Sequence, residues 1–216
     1  GVIFQALEKN EDAIRSYREA ISIKPNYPDA HNNLGNLFID IGKFDEAIES
    51  LEWAVAFQHD FAEAYNNLGN ALNAAGNEVE AIVNFKKAIS HNPNYANALF
   101  NLALVYKDLG DKKGFNKYIK LALILRPSWG AAHFHLSQLN KFKKNDPRIP
   151  EMLTILRQKK LYLTDRINLN FALAKAYEDS KDFDNQFTYL NEANSLRKKE
   201  LNYTIELEDM REYQTQ

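Results

Sequence analysis

Three asparagines, Asn33, Asn67 and Asn101, stand 34 residues apart. Asn36 and Asn70 repeat one helical turn further on, and Asn32 and Asn66 flank the first two. A carboxamide carries one acceptor and two donors, which matches the C=O and N–H of an extended peptide backbone. A ladder of such groups on one face is a candidate for holding a peptide in a groove. The alternative reading is a solvated helix face in a chain that uses Asn freely. Phe100, Phe134 and Phe171 take the Asn32/Asn66 slot later in the chain and would turn the groove apolar there, marking a partner surface or an inward-folded core.

Other residue types point away from catalysis. There is no Cys, hence no thiol nucleophile, thiolate metal site or disulfide. His133 and His135 lie two apart and so face different directions on a helix, whereas a shared metal would need i, i+4. His31 and His133 fall in a packing slot. No nucleophile–base set or acid pair emerges, so no cofactor, no metal and no enzymatic activity are expected of this chain. Residues 141–166 carry Lys141, Lys143, Lys144, Arg148, Arg157, Lys159, Lys160 and Arg166 against Asp146, Glu151 and Asp165. Such a cluster reads either as a solvated face or as a surface for an acidic partner, and is weak evidence for nucleic acid.

The elements that position these residues follow from a 34-residue repeat. Asn33-Leu34-Gly35-Asn36 returns as Asn67-Leu68-Gly69-Asn70 and as Asn101-Leu102-Ala103-Leu104. Glu46-Ala47-Ile48 returns as Glu80-Ala81-Ile82, after an earlier Asp12-Ala13-Ile14. Each unit reads as two amphipathic helices: Leu34, Leu37, Phe38 and Ile41 form one stripe, and Phe44, Ala47, Ile48, Leu51, Ala54 and Val55 the next. Gly42 supplies the turn between them. Phe115 stands where other units hold Ala, which should crowd that pair unless Gly114 and Ala103 make room, and a locally splayed third unit is expected. Later, Asp146 and Pro147 predict an N-cap and first residue of a helix through Met152–Leu156, and Thr164 caps another.

These residues resemble the tetratricopeptide repeat: in 62–95, Tyr65, Leu68, Gly69, Leu72, Gly76, Ala81, Phe85, Ala88 and Pro93; in 96–129, Leu99, Leu102, Ala103, Tyr106, Gly110, Phe115, Ile119, Ala122 and Pro127. Residues 1–27 fit a unit without its first seven residues, through Gly1, Phe4, Ala13, Tyr17, Ala20 and Pro25. The resemblance implies an all-α superhelical solenoid of antiparallel helix pairs over 1–200, with units 1–27, 28–61, 62–95, 96–129, a degenerate 130–160 and a degenerate 165–200, then a tail or linker 201–216. It also implies a concave groove lined by the first helix of each unit. Asn in that groove resembles the asparagine ladder of O-linked N-acetylglucosamine transferases. A clamp for an acidic tail would need Lys and Arg there, while this chain places Asn32, Asn66 and Asn97 with Asp29, Asp40, Glu63 and Asp108. The glycines fill the family's two slots, except Gly114 and Gly130, so no phosphate-cradling loop can be assembled.

A narrower resemblance covers about 140–205. Asp146-Pro147-Arg148-Ile149, Thr164-Asp165-Arg166, the run Phe171 to Asp179 and Asn194-Ser195-Leu196-Arg197 are similar to bacterial sulfotransferases with tetratricopeptide repeats. It implies that the chain is a substrate-handling arm whose catalytic part lies beyond Gln216. The opening Gly1-Val2-Ile3-Phe4 fits an excised piece. With 27 basic against 29 acidic residues, net charge −2 and 45% hydrophobic content, nothing global points to nucleic acid or a membrane. The expected function is a cytoplasmic binding module for an extended peptide or protein segment. A freestanding scaffold, self-associating through its open ends as a homodimer, is the competing class.

Overall fold

The computed structural model describes the backbone of residues 10–214 and the side chains of residues 10–201. Gly1 and Phe4, and the side chains of the 202–216 segment, lie outside the described residues. Among those described there are eleven helices and no strand. In chain order they are α1 (Asn10–Ile23), α2 (Pro28–Asp40), α3 (Phe44–Phe57), α4 (Ala62–Ala74), α5 (Glu78–His91), α6 (Ala96–Asp108), α7 (Lys112–Leu125), α8 (Gly130–Leu139), α9 (Arg148–Leu156), α10 (Leu163–Asp179) and α11 (Phe183–Gln214). The chain forms two compact units, one up to Ala122 and the other from Leu123.

In the first unit the predicted stripes are the core. Leu34, Leu37 and Phe38 of α2 meet Ala47 and Leu51 of α3, and the cluster continues through Leu68, Leu72, Ala81 and Phe85 to Leu102 and Val105. The small residues are dictated by close approach. A Cβ built on Gly35 would lie 2.5 Å from Cγ of Leu51, and one on Gly69 2.7 Å from the Phe85 ring. In the third pair the equivalent slot holds Ala103, opposite Ile119 rather than Leu or Phe. Phe115 is fully buried, and a Cβ on neighbouring Gly114 would stand 2.7 Å from both Asp111 Oδ2 and the Tyr106 ring, which stacks on Tyr118.

The pairs α2–α3, α4–α5 and α6–α7 turn in the same way. Gly42, Gly76 and Gly110 have φ of 75°, 82° and 75°. The following N–H reaches back over the turn, from Lys43 to Phe38 O, Asn77 to Leu72 O and Asp111 to Tyr106 O, each at 2.8 Å. This is the six-to-one closure that satisfies carbonyls at a helix end. Asp182 to Tyr177 O at 2.9 Å repeats it between α10 and α11, with Lys181 at φ 61° in the glycine position.

The second unit is built on α10. Leu169, Ala172, Leu173 and Ala176 pack with Met152 and Ile155 of α9 and with Phe142, and α10 also lies against α8 and α11. Gly130 permits contact between α8 and α10, since a Cβ there would collide with the Asp165 backbone; instead its N–H donates to Asp165 Oδ1 at 2.8 Å. Two boundary expectations are corrected. Helix α10 begins at Leu163 with Tyr162 in the cap position, so Thr164 sits inside the first turn. Pro147, not Asp146, stands in the cap position of α9, and Asp146, one residue earlier, accepts from the Arg148 N–H at 3.1 Å. Helix α11 runs on to Gln214, through the segment expected as a tail.

Candidate peptide-binding face

Helices α2, α4 and α6 lie side by side in the first unit, and their asparagines form one hydrogen-bonded chain. Asn32 Nδ2 donates to Glu63 Oε1 at 3.5 Å, and Asn67 Nδ2 donates to Asn32 Oδ1 at 3.0 Å. Asn66 Nδ2 donates to Asn67 Oδ1 at 3.3 Å. Asn101 donates from Nδ2 to Asn66 Oδ1 at 3.1 Å and to Asn70 Oδ1 at 2.9 Å. The direction has a cause. A carboxylate can only accept, so Asn32 turns its nitrogen to Glu63 and leaves its oxygen for Asn67, and the same logic propagates to Asn101. Amides aligned head to tail polarise one another, which strengthens each link.

Burial makes this chain obligatory. Asn32, Asn66 and Asn67 are buried, and burying an amide without a partner costs more than a typical hydrogen bond returns. Among the described residues no buried side-chain nitrogen or oxygen lacks a partner. The 34-residue slot that unites Asn33, Asn67 and Asn101 therefore holds three different environments. Asn67 is enclosed in the network. Asn101 is half-buried, has both donors engaged and keeps Oδ1 open. Asn33 and Asn36 are half-buried with no side-chain hydrogen bond among the described residues. Asn70 gives its oxygen to Asn101 and keeps its nitrogen. Glu63, read from sequence only as negative charge, is the acceptor that orients the whole chain. Its signal was present: Asn32–Glu63 and Asn70–Asn101 are both 31 apart, while Asn32–Asn67 and Asn66–Asn101 are both 35 apart.

The phenylalanines divide. Phe100 on α6 is half-buried, in the first unit. In the second unit Phe134 and Phe171 are also half-buried and meet edge to face, with ring centroids 6.2 Å apart.

The motif residues of the second unit hold the fold. Arg148 donates to both Asp146 oxygens, through Nε at 2.8 Å and NH2 at 2.7 Å, and its guanidinium lies 3.9 Å from the Phe142 ring centroid. The hydrogen bonds from Arg148 hold the Asp146 carboxyl at about 2, against an ordinary 3.8. Asp179 accepts from the Phe142 N–H at 3.1 Å and from Lys175 at 2.8 Å. Arg166 closes the end of α9 through the Leu156 and Gln158 carbonyls. Two of the eight cations in 141–166 are thus engaged internally.

The histidines behave as packing residues. His31 and His133, 102 residues apart, are buried and make one equivalent contact, Nε2 to the carbonyl of a proline six residues back, Pro25 at 2.9 Å and Pro127 at 2.8 Å. Burial pushes the His133 imidazole below its ordinary value. Among the described residues no group of three or more His, Cys, Asp or Glu could hold a metal ion, and no helix is long and apolar enough to cross a membrane.

Comparison with known proteins agrees with the repeat. A TPR repeat model matches residues 1–42 and 35–76, and tetratricopeptide repeat models match 62–95, 84–113 and 167–200. The comparison with curated proteins gave no match. Among solved structures, a crystal structure of MamA is 24% identical with a TM-score of 0.58, covering 93% of this chain and 95% of that one. MamA 41-end from Desulfovibrio magneticus RS-1 is 22% identical with a TM-score of 0.56, covering 59% and 72%. Those likenesses show the fold, an all-α solenoid of helix pairs. With family models together matching 1–113 and 167–200, more than half of the 216 residues, the chain belongs to the tetratricopeptide repeat family.

Proposed function

We propose that this chain is a non-catalytic interaction scaffold whose first unit holds an extended peptide along the α2–α4–α6 face. One observation carries the reading. A saturated, buried amide network forms a rigid bed, and beside it Asn33, Asn36, Asn70 Nδ2 and Asn101 Oδ1 keep open hydrogen-bonding capacity. Donors and acceptors fixed in advance bind a peptide backbone with less ordering cost. Carboxamides read the backbone rather than side chains, so the face tolerates many sequences, and half-buried Phe100 gives it an apolar end.

The test is fluorescence anisotropy with a labelled peptide selected from a random library. Replacing Asn33 and Asn36 together by Ala should weaken binding about tenfold or more, two lost hydrogen bonds, with Tm unchanged. Binding unchanged by that pair, or by Asn101→Ala, defeats the reading.

A finer reading makes the chain the substrate-handling arm of a bacterial sulfotransferase. Its support is the sequence run over 140–205 alone. Translating the parent coding sequence past Gln216 tests it: a strand, a Gly-rich loop with Arg or Lys, and a helix would support it. Further repeats or a stop would leave the freestanding scaffold.

A further inference from the structure

The second helices of the first unit carry a pattern independent of the asparagine face. Helix α3 holds Asp45, Glu46, Glu49 and Glu52 with no Lys or Arg, while α7 holds Lys112, Lys113, Lys117 and Lys120 with no Asp or Glu. Between them lies α5, whose outer stripe is Val79, 71% exposed, and Val83, 48% exposed. Glu52 and Val55 of α3 share a cleft with Glu80 and Lys87 of α5. On the other side, Lys86 of α5 stands over the Tyr106 ring, which stacks on Tyr118 of α7. The order across the face is acidic, apolar, basic in the two slots that hold Val79 and Val83.

The register is as regular as the charge. Asp45, Val79 and Lys113 occupy one repeat slot; Glu49, Val83 and Lys117 the next; Glu52, Lys86 and Lys120 the third. Asp45, Glu49, Glu52, Lys113 and Lys120 have no ion pair among the described residues, and Lys117 lies 5.0 Å from the Tyr118 ring centroid. All six charged groups are exposed.

We infer that this face is a homodimer interface, in which a second copy is related by a two-fold axis running parallel to α5. That operation reverses the order of helices and keeps height along them. It sets Val79 and Val83 against their copies, opposes Asp45 to Lys113, Glu49 to Lys117 and Glu52 to Lys120 twice over, and leaves Lys86, which stands over the Tyr106 ring, as the middle residue of the third slot. A two-fold interface must be self-complementary, and an acidic–apolar–basic face is so in this one arrangement. A two-fold perpendicular to the helices within the face would oppose acid to acid. The partner is a second copy because the complement of this surface, in charge and in slot, is the surface itself.

Sedimentation equilibrium of the whole chain tests this, with far-UV circular dichroism confirming that each variant is folded. The wild type should dimerise, and its Kd should rise about tenfold or more between about 0.05 M and 0.5 M salt, as screening shortens. D45K/E49K/E52K and K113E/K117E/K120E should each be monomeric, a 1:1 mixture of the two should dimerise, and all six changes in one chain should restore the homodimer. A wild type that stays monomeric at low salt overturns the inference. So does a dimer unaffected by either triple variant, which would place association at the solenoid ends, or a mixture that stays monomeric.

Discussion

Asn67 donates to Asn32 across 35 residues at 3.0 Å, and one repeat later Asn101 makes the same contact to Asn66 at 3.1 Å. Polar groups thus key each unit to the next in a stack otherwise joined by apolar surface. In a repeat array, stability is close to a sum of unit and interface contributions, so removing one key weakens the whole first unit. Asn67→Ala leaves Asn32 Oδ1 and Asn66 Nδ2 buried without that partner and should cost about 1–3 kcal/mol in urea unfolding. Asn36→Ala should change stability by less than about 0.5 kcal/mol.

The glycines of the first helices make a second, sharper prediction. Gly69→Ala gains helix propensity but puts a Cβ against the rigid Phe85 ring. It should destabilise by about 1–3 kcal/mol. The chain itself supplies the remedy, since the third pair sets Ala103 against Ile119. Adding Phe85→Ile should recover part of the loss, and a double-mutant cycle should show a favourable coupling of at least about 0.5 kcal/mol. Strict additivity would mean that the glycine is not there for the ring.

His133 should make the second unit acid-sensitive. Its folded value lies below the ordinary 6.5, so the unfolded chain binds more protons in that range. Its contribution is complete above pH 6.5 and is lost as pH falls through the lower folded value. Thermal unfolding of the whole chain should show a Tm falling between about pH 7 and pH 5. His133→Gln, which keeps a donor for the Pro127 carbonyl, should flatten that slope.

Asp146 acts in a lower window. Its folded carboxyl sits at about 2 against 3.8, so its contribution is present above pH 4 and disappears as pH drops toward 2. Asp146→Asn should cost about 1–2 kcal/mol at pH 7 and leave a shallower acid transition. An equal loss at pH 7 and pH 2 would mean that the charge on Asp146 is immaterial.

The repeat, the stripes and the turn glycines were legible because each is a local pattern with a fixed period. Lys181 was not, because a Lys at positive φ is chosen by the turn around it and has no glycine to announce it. Cap positions at Thr164 and Pro147 shifted by a residue or so for a similar reason, since neighbouring chain decides where a helix starts. The asparagine slot was visible, but the split between buried Asn67 and half-exposed Asn33 was not. Contacts at 31 and 35 residues depend on how units stack, and a 34-residue period alone gives those residues equal standing. Arg148 and Arg166 looked like free cations until the carboxylate and carbonyls around them were in place.

The most direct test of the peptide-binding account is a side-chain amide NMR titration of the whole chain with the selected peptide. The account predicts that the NH2 resonances of Asn33, Asn36 and Asn70 shift with peptide, while those of Asn32 and Asn67 move little because their partners are internal. Saturable binding with those three unmoved, and perturbation centred on Phe134 and Phe171 instead, would contradict it.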